Sequence, residues 1–238
     1  MTGTLINVGA VLAGTGIGLT AGTRLTDRLQ QRVLAGLGLV TLVIGMQLAL
    51  TWSDADTTAQ TPLYVLGAIL LGGLVGEMLD LEGRIEAVGD GLQARLADEH
   101  GESTISEGFV TASLLFCVGS LAVVGSIQDG LTGDWQTLAT KAVLDGFAAI
   151  ALAASLGWGV ALSAVSVLVY QGAITLGAGA LDTVLQGEAL AALSSAGGIT
   201  IIGIALKLLA VKDVRVANFL PALLFAPLLV GLGHLIGG

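Results

Sequence analysis

Few residues of this chain have the chemistry to act on another molecule, and most of those that do are embedded in apolar sequence. Lys141 and Asp145 stand four positions apart in Gly133-Asp134-Trp135-Gln136-Thr137-Leu138-Ala139-Thr140-Lys141-Ala142-Val143-Leu144-Asp145-Gly146, a separation that puts two side chains on one helical face. In apolar surroundings such a pair either lines an ion or substrate path facing a bundle interior or is a neutralised pair that only orients its helix. Glu77, at the end of another apolar stretch, reads as an inner gate or proton site, or as a carboxylate reaching out to water. Asn7, Gln171 and Asn218 are uncharged polar groups in apolar sequence; bridging helices by hydrogen bonds is their first use, and contact with a solute the second.

Other chemistries find less support. Cys117 is the single cysteine, so it forms no intrachain disulfide and offers no cysteine spacing for zinc; it joins the candidates for a solute path. His100 and His234 fall in distant segments, and the clustered carboxylates, imidazoles or thiolates that a metal requires are too few. Ser113, Ser120 and Ser126 lie near Cys117 without the His and Asp partners of a hydrolase triad. The string Gly14-Thr15-Gly16-Ile17-Gly18 has glycines like those of a nucleotide loop but lacks the strand and turn that would aim backbone amides at phosphate. Catalytic, cofactor-binding and metal-binding sets are therefore not expected, and an enzyme ranks below the other readings.

Composition determines what must hold these residues. Of 238 residues, 54% are hydrophobic and 11% charged, against roughly 25% charged in a soluble domain. Lipid is the expected partner of the excess apolar surface. The 36 glycines sit largely inside apolar stretches, where small residues let helices approach closely. Gly14, Gly18 and Gly22 form one such stripe and Gly72 with Gly76 another; both are expected to pack helices, and they extend naturally to a homo-oligomer. Nine basic against eighteen acidic residues leave a net charge of −9, which argues against nucleic acid, since phosphate binding needs clustered Lys and Arg.

A span needs about 20 apolar residues to cross a hydrocarbon core of about 30 Å. Eight stretches qualify, at 4–22, 33–51, 63–80, 108–127, 141–156, 158–181, 196–211 and 216–236. The run 141–181 would be about 60 Å long as one helix, so it must fold back, and Gly157-Trp158-Gly159 is the natural turn. The first stretch has no basic segment before it and no cleavage pattern after it, so it is expected to stay as a span. With eight spans, Arg24, Arg28, Arg32, Arg84, Arg95, Lys207, Lys212 and Arg215 share one side, leaving only Lys141 of the nine basic residues. Basic loops favour the cytoplasm, so both termini are expected outside a multi-pass protein of the cell membrane, with Asp129 and Glu188 in outer loops.

The connection 81–107 carries Leu81, Ile85, Val88, Leu92 and Leu96 at helical spacing, opposite Glu82, Glu86, Asp90 and Arg95, which predicts an amphipathic helix on the cytoplasmic face. Sliding the chain by 110 residues aligns Leu5, Val8, Gly9, Ile17 and Gly36 with Leu115, Val118, Gly119, Ile127 and Gly146. Three spans separate the copies, which predicts an inverted repeat with a midplane site. Asn7 would then lie opposite Cys117. The expected organisation is one all-α transmembrane domain over 1–238: repeats at 1–80 and 108–181, the connector 81–107, and a C-terminal helix pair at 196–236.

Leu114-Leu115-Phe116-Cys117-Val118-Gly119, continuing to Gly125-Ser126-Ile127-Gln128-Asp129 and then Lys141-Ala142-Val143-Leu144-Asp145, resembles the YqgA/YdfK-like membrane proteins of bacteria and archaea, a domain of unknown function numbered 554. Gly3-Thr4-Leu5-Ile6-Asn7, Gly76-Glu77, Gln171 and Asn218-Phe219-Leu220-Pro221-Ala222 keep the family's order, so the resemblance covers almost the whole chain. Ala142 departs from the serine often found there. The resemblance implies a membrane fold and a provisional label of transport; it assigns no residue a role.

The leading expectation is a transporter or channel for a small solute or ion, with Lys141 and Asp145 lining a central path, Asn7, Cys117 and Gln171 adding polar contacts, and Glu77 or Asn218 acting near the inner side. The alternative is a scaffold or sensor that transports nothing and works through helix packing and the amphipathic segment.

Overall fold

In hydrocarbon every backbone N–H and C=O must find its partner within its own segment, so long apolar runs fold as helices. The computed structural model describes residues 1–22, 26–54, 57–85, 87, 104–117, 120–182 and 184–237, and among these there is no strand. The long helices are α1 (Thr2–Gly22), α2 (Asp27–Ala49), α3 (Thr61–Met78), α4 (Thr104–Cys117), α5 (Ser120–Thr132), α6 (Gln136–Leu156), α7 (Gly159–Leu176), the short α8 (Ala178–Leu181), α9 (Gly187–Leu208) and α10 (Ala222–Gly237). Single 3-10 turns, Leu50–Ser53 and Val216–Phe219, follow α2 and precede α10.

Among the described residues seven helical segments are long and apolar enough to cross a membrane, and eight if the pair α4 and α5, bent by 61°, makes one crossing. The expected straight span 108–127 is thus two helices at an angle; hydropathy measures how apolar a run is, not whether it is straight. The expected span 196–211 starts at Gly187 instead. Its early start takes in Glu188, which the sequence reading assigned to a loop because of its charge. The fold-back falls where the glycines predicted it: α6 ends at Leu156, and Gly157 has φ +79°, a left-handed conformation that glycine adopts without a side-chain clash.

Helix directions support eight crossings. α1 and α6 run parallel, with Gly3 against Leu138, Gly14 against Gly146 and Ala149, and Gly22 against Ala154. α4 and α7 are also parallel, with Ile105 at Gly159 and Ser113 at Ser166. α2 and α9 are antiparallel, Gly38 meeting Leu209 and Gly45 meeting Ile202; so are α3 and α10, where Gly67 meets Leu229 and Gly72 meets Ala222. Alternating crossings produce this pattern when α4 and α5 cross once together and α6 and α7 cross twice. A fold in which 104–132 turned back would make α1 and α6 antiparallel.

α9 packs chiefly along α2 and is the most buried of the spans, so the C-terminal helices are integral to the bundle. The 110-residue offset would pair α2 with α4 and α5 as α1 pairs with α6; the principal partner of α2 is α9. The glycine stripe of α1 is spent inside the chain. A Cβ at Gly14, Gly18 or Gly22 would strike the carbonyl oxygens of Gly146, Ile150 and Ala154 on α6, and one at Gly76 the carbonyl of Asn218. Those faces are therefore covered and are not offered to a second copy.

Residues 86 and 88–103 lie outside the described residues, and with them Val88, Leu92, Leu96, Glu86, Asp90, Arg95 and His100 of the expected amphipathic helix. Within the described part, 81–85 is helical and Glu82 is buried at 4% exposure, where the spacing placed it on the polar face. The molecule as a whole is inside out by the standards of water. Asn7, Lys141, Asp145 and Gln171 are buried, while Phe147 is 71% and Leu176 81% exposed.

Candidate functional site

The small-residue contact between α1 and α6 brings the charged pair to its third partner. With Ala10 lying over Gly146 and Gly14 over the same turn, the two backbones come close enough for Asn7 to reach across. Lys141 Nζ donates to Asp145 Oδ2, as the four-residue spacing predicted. Asn7 Nδ2 donates to the same oxygen at 2.9 Å. All three residues are buried, with Lys141 at 5% and Asp145 at 7% exposure. Asp145 lies nine residues along α6, about 14 Å from its start, which is near the middle of the span.

Around this cluster the polar groups are incompletely satisfied. Asn7 Oδ1 and both amide atoms of Gln171 are buried and have no hydrogen-bond partner among the described residues; the hydroxyls of Thr4, Thr15, Ser126 and Thr175 share that condition. Gln171 sits on α7, which packs against both α1 and α6. Cys117, half-buried on α4, lies within electrostatic reach of Lys141 and Asp145. The structure therefore gathers Asn7, Lys141 and Asp145, with Cys117 and Gln171 on the adjoining helices.

Glu77 and Asn218 belong elsewhere. At the far end of α3, Asn218 Nδ2 donates to Glu77 Oε2 at 2.6 Å, and Asn218 Oδ1 accepts the Glu82 amide at 2.9 Å. Glu82 in turn accepts the Ala217 amide at 2.9 Å and lies 3.9 Å from Lys207. Arg215 pairs with Glu77 at 3.3 Å and Asp80 at 3.2 Å. Asn218 is a fully engaged bridge, and Glu82 is the buried anion that ties 81–85 to the turn before α10. Nothing in the local sequence distinguishes Glu82 from its exposed neighbours, because the Ala217 amide and the Lys207 ammonium that meet its carboxylate are far away along the chain.

At the opposite end, two acids expected in outer loops are buried. Glu188 accepts from Thr58 Oγ1 at 2.6 Å and from Thr61, and lies 2.7 Å from His234 Nε2. An acid in the first turn of a helix is favoured by the exposed amides there, a signal the sequence did carry. Asp129 accepts the Gly3 amide at 3.0 Å and so holds α5 to the start of α1. Asp129, Glu188 and His234 thus share the end opposite Glu77, Arg215 and Lys207. Among the described residues no three His, Cys, Asp or Glu side chains are grouped to hold a metal ion.

A bundle of apolar helices with a charged pair buried in its middle and many large apolar side chains outermost is that of a polytopic membrane protein. The family described as Protein of unknown function (DUF554) matches residues 2–231, and the chain belongs to that family. It is 30% identical over 237 residues to "Uncharacterized membrane protein YdfK" of Bacillus subtilis (strain 168), covering 100% of this chain and 99% of the relative. It is 30% identical over 227 residues to "Uncharacterized protein YqgA" of Escherichia coli (strain K12), covering 94% of each. No solved structure matches it significantly.

Proposed function

We propose that this protein is a transporter or channel for a small solute or ion, with its path running beside Asn7, Lys141 and Asp145 and flanked by Cys117 and Gln171. The observation that carries this reading is the Gln171 amide, whose nitrogen and oxygen are both buried without a partner among the described residues, on a helix that packs against the one bearing the charge pair. A buried unsatisfied polar group costs about 1–3 kcal/mol, and several of them around one charged cluster are retained most economically where a polar solute or water completes their bonds. The basic end, with Arg28, Arg32, Arg84, Lys207, Lys212 and Arg215, faces the cytoplasm on the positive-inside rule, both termini lie outside, and the membrane is that of the cell. Glu77, Arg215 and Asn218 then close the path on its inner side. A scaffold that transports nothing would favour full satisfaction of its polar groups, as at Asn218, and Gln171 speaks against it.

The test is flux into proteoliposomes of amino acids, organic acids and monovalent ions, comparing the native protein with Lys141→Met combined with Asp145→Leu. The native protein is expected to move one of these classes and the double variant to lose at least tenfold of that rate. Unchanged flux in the double variant would remove the path from this cluster.

A further inference from the structure

A cavity of about 610 Å³ opens between α4, α7 and the residues leading into α10, and Phe109, Leu114, Cys117, Val169, Ala173 and Leu223 are among its lining residues. Its wall is almost wholly apolar. The serine hydroxyls on it, Ser113 and Ser166, bond to each other at 2.9 Å, so neither requires water. Val169 and Ala173 are exposed at the rim, which turns the opening sideways, toward the surface that hydrocarbon covers. An apolar hollow there loses its dispersion contacts unless hydrocarbon fills it.

Dimensions and charge select the occupant. Phe109 and Cys117, eight residues apart on α4, mark a depth of about 12 Å; one leaflet contributes about half of a core of roughly 30 Å. One acyl tail entering from the Ile85 end passes Cys117 and continues toward Ile174 and Leu181 at the far end of the groove. At that end Arg84 precedes the lining residue Ile85, is exposed, and forms no ion pair among the described residues. The described acids nearest to it are already engaged: Glu77 and Asp80 pair with Arg215, and Glu82 accepts from Ala217 and faces Lys207. Beside the groove, Arg84 is thus an exposed cation with no neutralising acid among the described residues.

We propose that this groove binds one acyl tail of an anionic phospholipid, whose phosphate rests against Arg84. The site stands apart from the transport reading and is tested without flux. The purified protein is reconstituted in phosphatidylcholine vesicles containing a trace of phosphatidylglycerol, or of phosphatidylcholine, with a photoactivatable diazirine in the acyl chain, and the adducts are mapped by mass spectrometry. Adducts are expected on 109–117 and 169–174, with phosphatidylglycerol exceeding phosphatidylcholine about fivefold, as one basic residue beside an anionic headgroup gives. Val169→Trp and Ala173→Phe, both at the exposed rim where added bulk leaves the bundle intact, are expected to clear the groove of adducts while those on outward-facing Leu70 and Leu74 persist. Arg84→Gln is expected to keep groove labelling and abolish the headgroup preference. The proposal is overturned if adducts follow surface exposure alone, if the rim variants leave groove labelling unchanged, if the two lipids label equally in the native protein, or if residues 86–103 occupy the groove in cross-linking.

Discussion

Replacing Asp145 by leucine leaves Lys141 without its buried counter-ion in the middle of the bundle and removes the acceptor that Asn7 Nδ2 has among the described residues. Removing one partner of a buried pair costs about 3–5 kcal/mol, because the other charge stays desolvated. Adding Lys141→Met to Asp145→Leu removes that charge. What remains is the unpaired Asn7 donor, at about 1–3 kcal/mol. That donor is common to both variants, so the double variant should be more stable than the Asp145→Leu single by about 3–5 kcal/mol, or more than about a hundredfold in the folding equilibrium. The assay is reversible unfolding of the native protein, both single variants and the double variant in mixed micelles of rising SDS fraction, followed by far-UV circular dichroism. Analysed as a double-mutant cycle, it isolates the coupling between the two side chains. Were Asp145→Leu to cost less than about 1 kcal/mol, the range of a solvated surface pair, or were the double variant as unstable as the single, the pair could not be buried as described. The same proteins then serve for flux, so a folded, inactive double variant separates transport from stability.

The glycines of α1 give a sharp contrast: Gly14→Leu drives a side chain into the Gly146 carbonyl and should cost at least about 1–3 kcal/mol, whereas Gly16→Leu meets open space and should be neutral in the same unfolding assay. Gln171→Leu removes two buried polar atoms that have no partner among the described residues, so in micelles free of solute stability is expected to rise by about 1–3 kcal/mol while flux falls; a destabilised variant would mean that water alone already completes the bonds of the amide. Glu188→Ala strips the acceptor shared by Thr58, Thr61 and His234 and should cost about 1.5–3 kcal/mol. His234→Ala, whose side chain is 61% exposed, should stay within about 1 kcal/mol; equal effects of the two would show that Glu188 depends on the imidazole alone.

Sequence by itself determined what is local. The apolar runs and the scarcity of charge identify a membrane bundle of seven or eight crossings, because hydrocarbon imposes a length and a composition on each segment separately. The turn at Gly157 and the pairing of Lys141 with Asp145 were legible for the same reason: each follows from residues within one or two helical turns of each other. Tertiary structure decided the rest. That Asn7 completes the Lys141–Asp145 cluster depends on α1 lying parallel to α6, and no hydropathy pattern chooses which spans become neighbours. Glu82, Asp129 and Glu188 look like solvated loop acids until distant amides, hydroxyls and an imidazole enclose them. Burial of a charge is a property of its partners, and these partners lie 46 to 135 residues away along the chain.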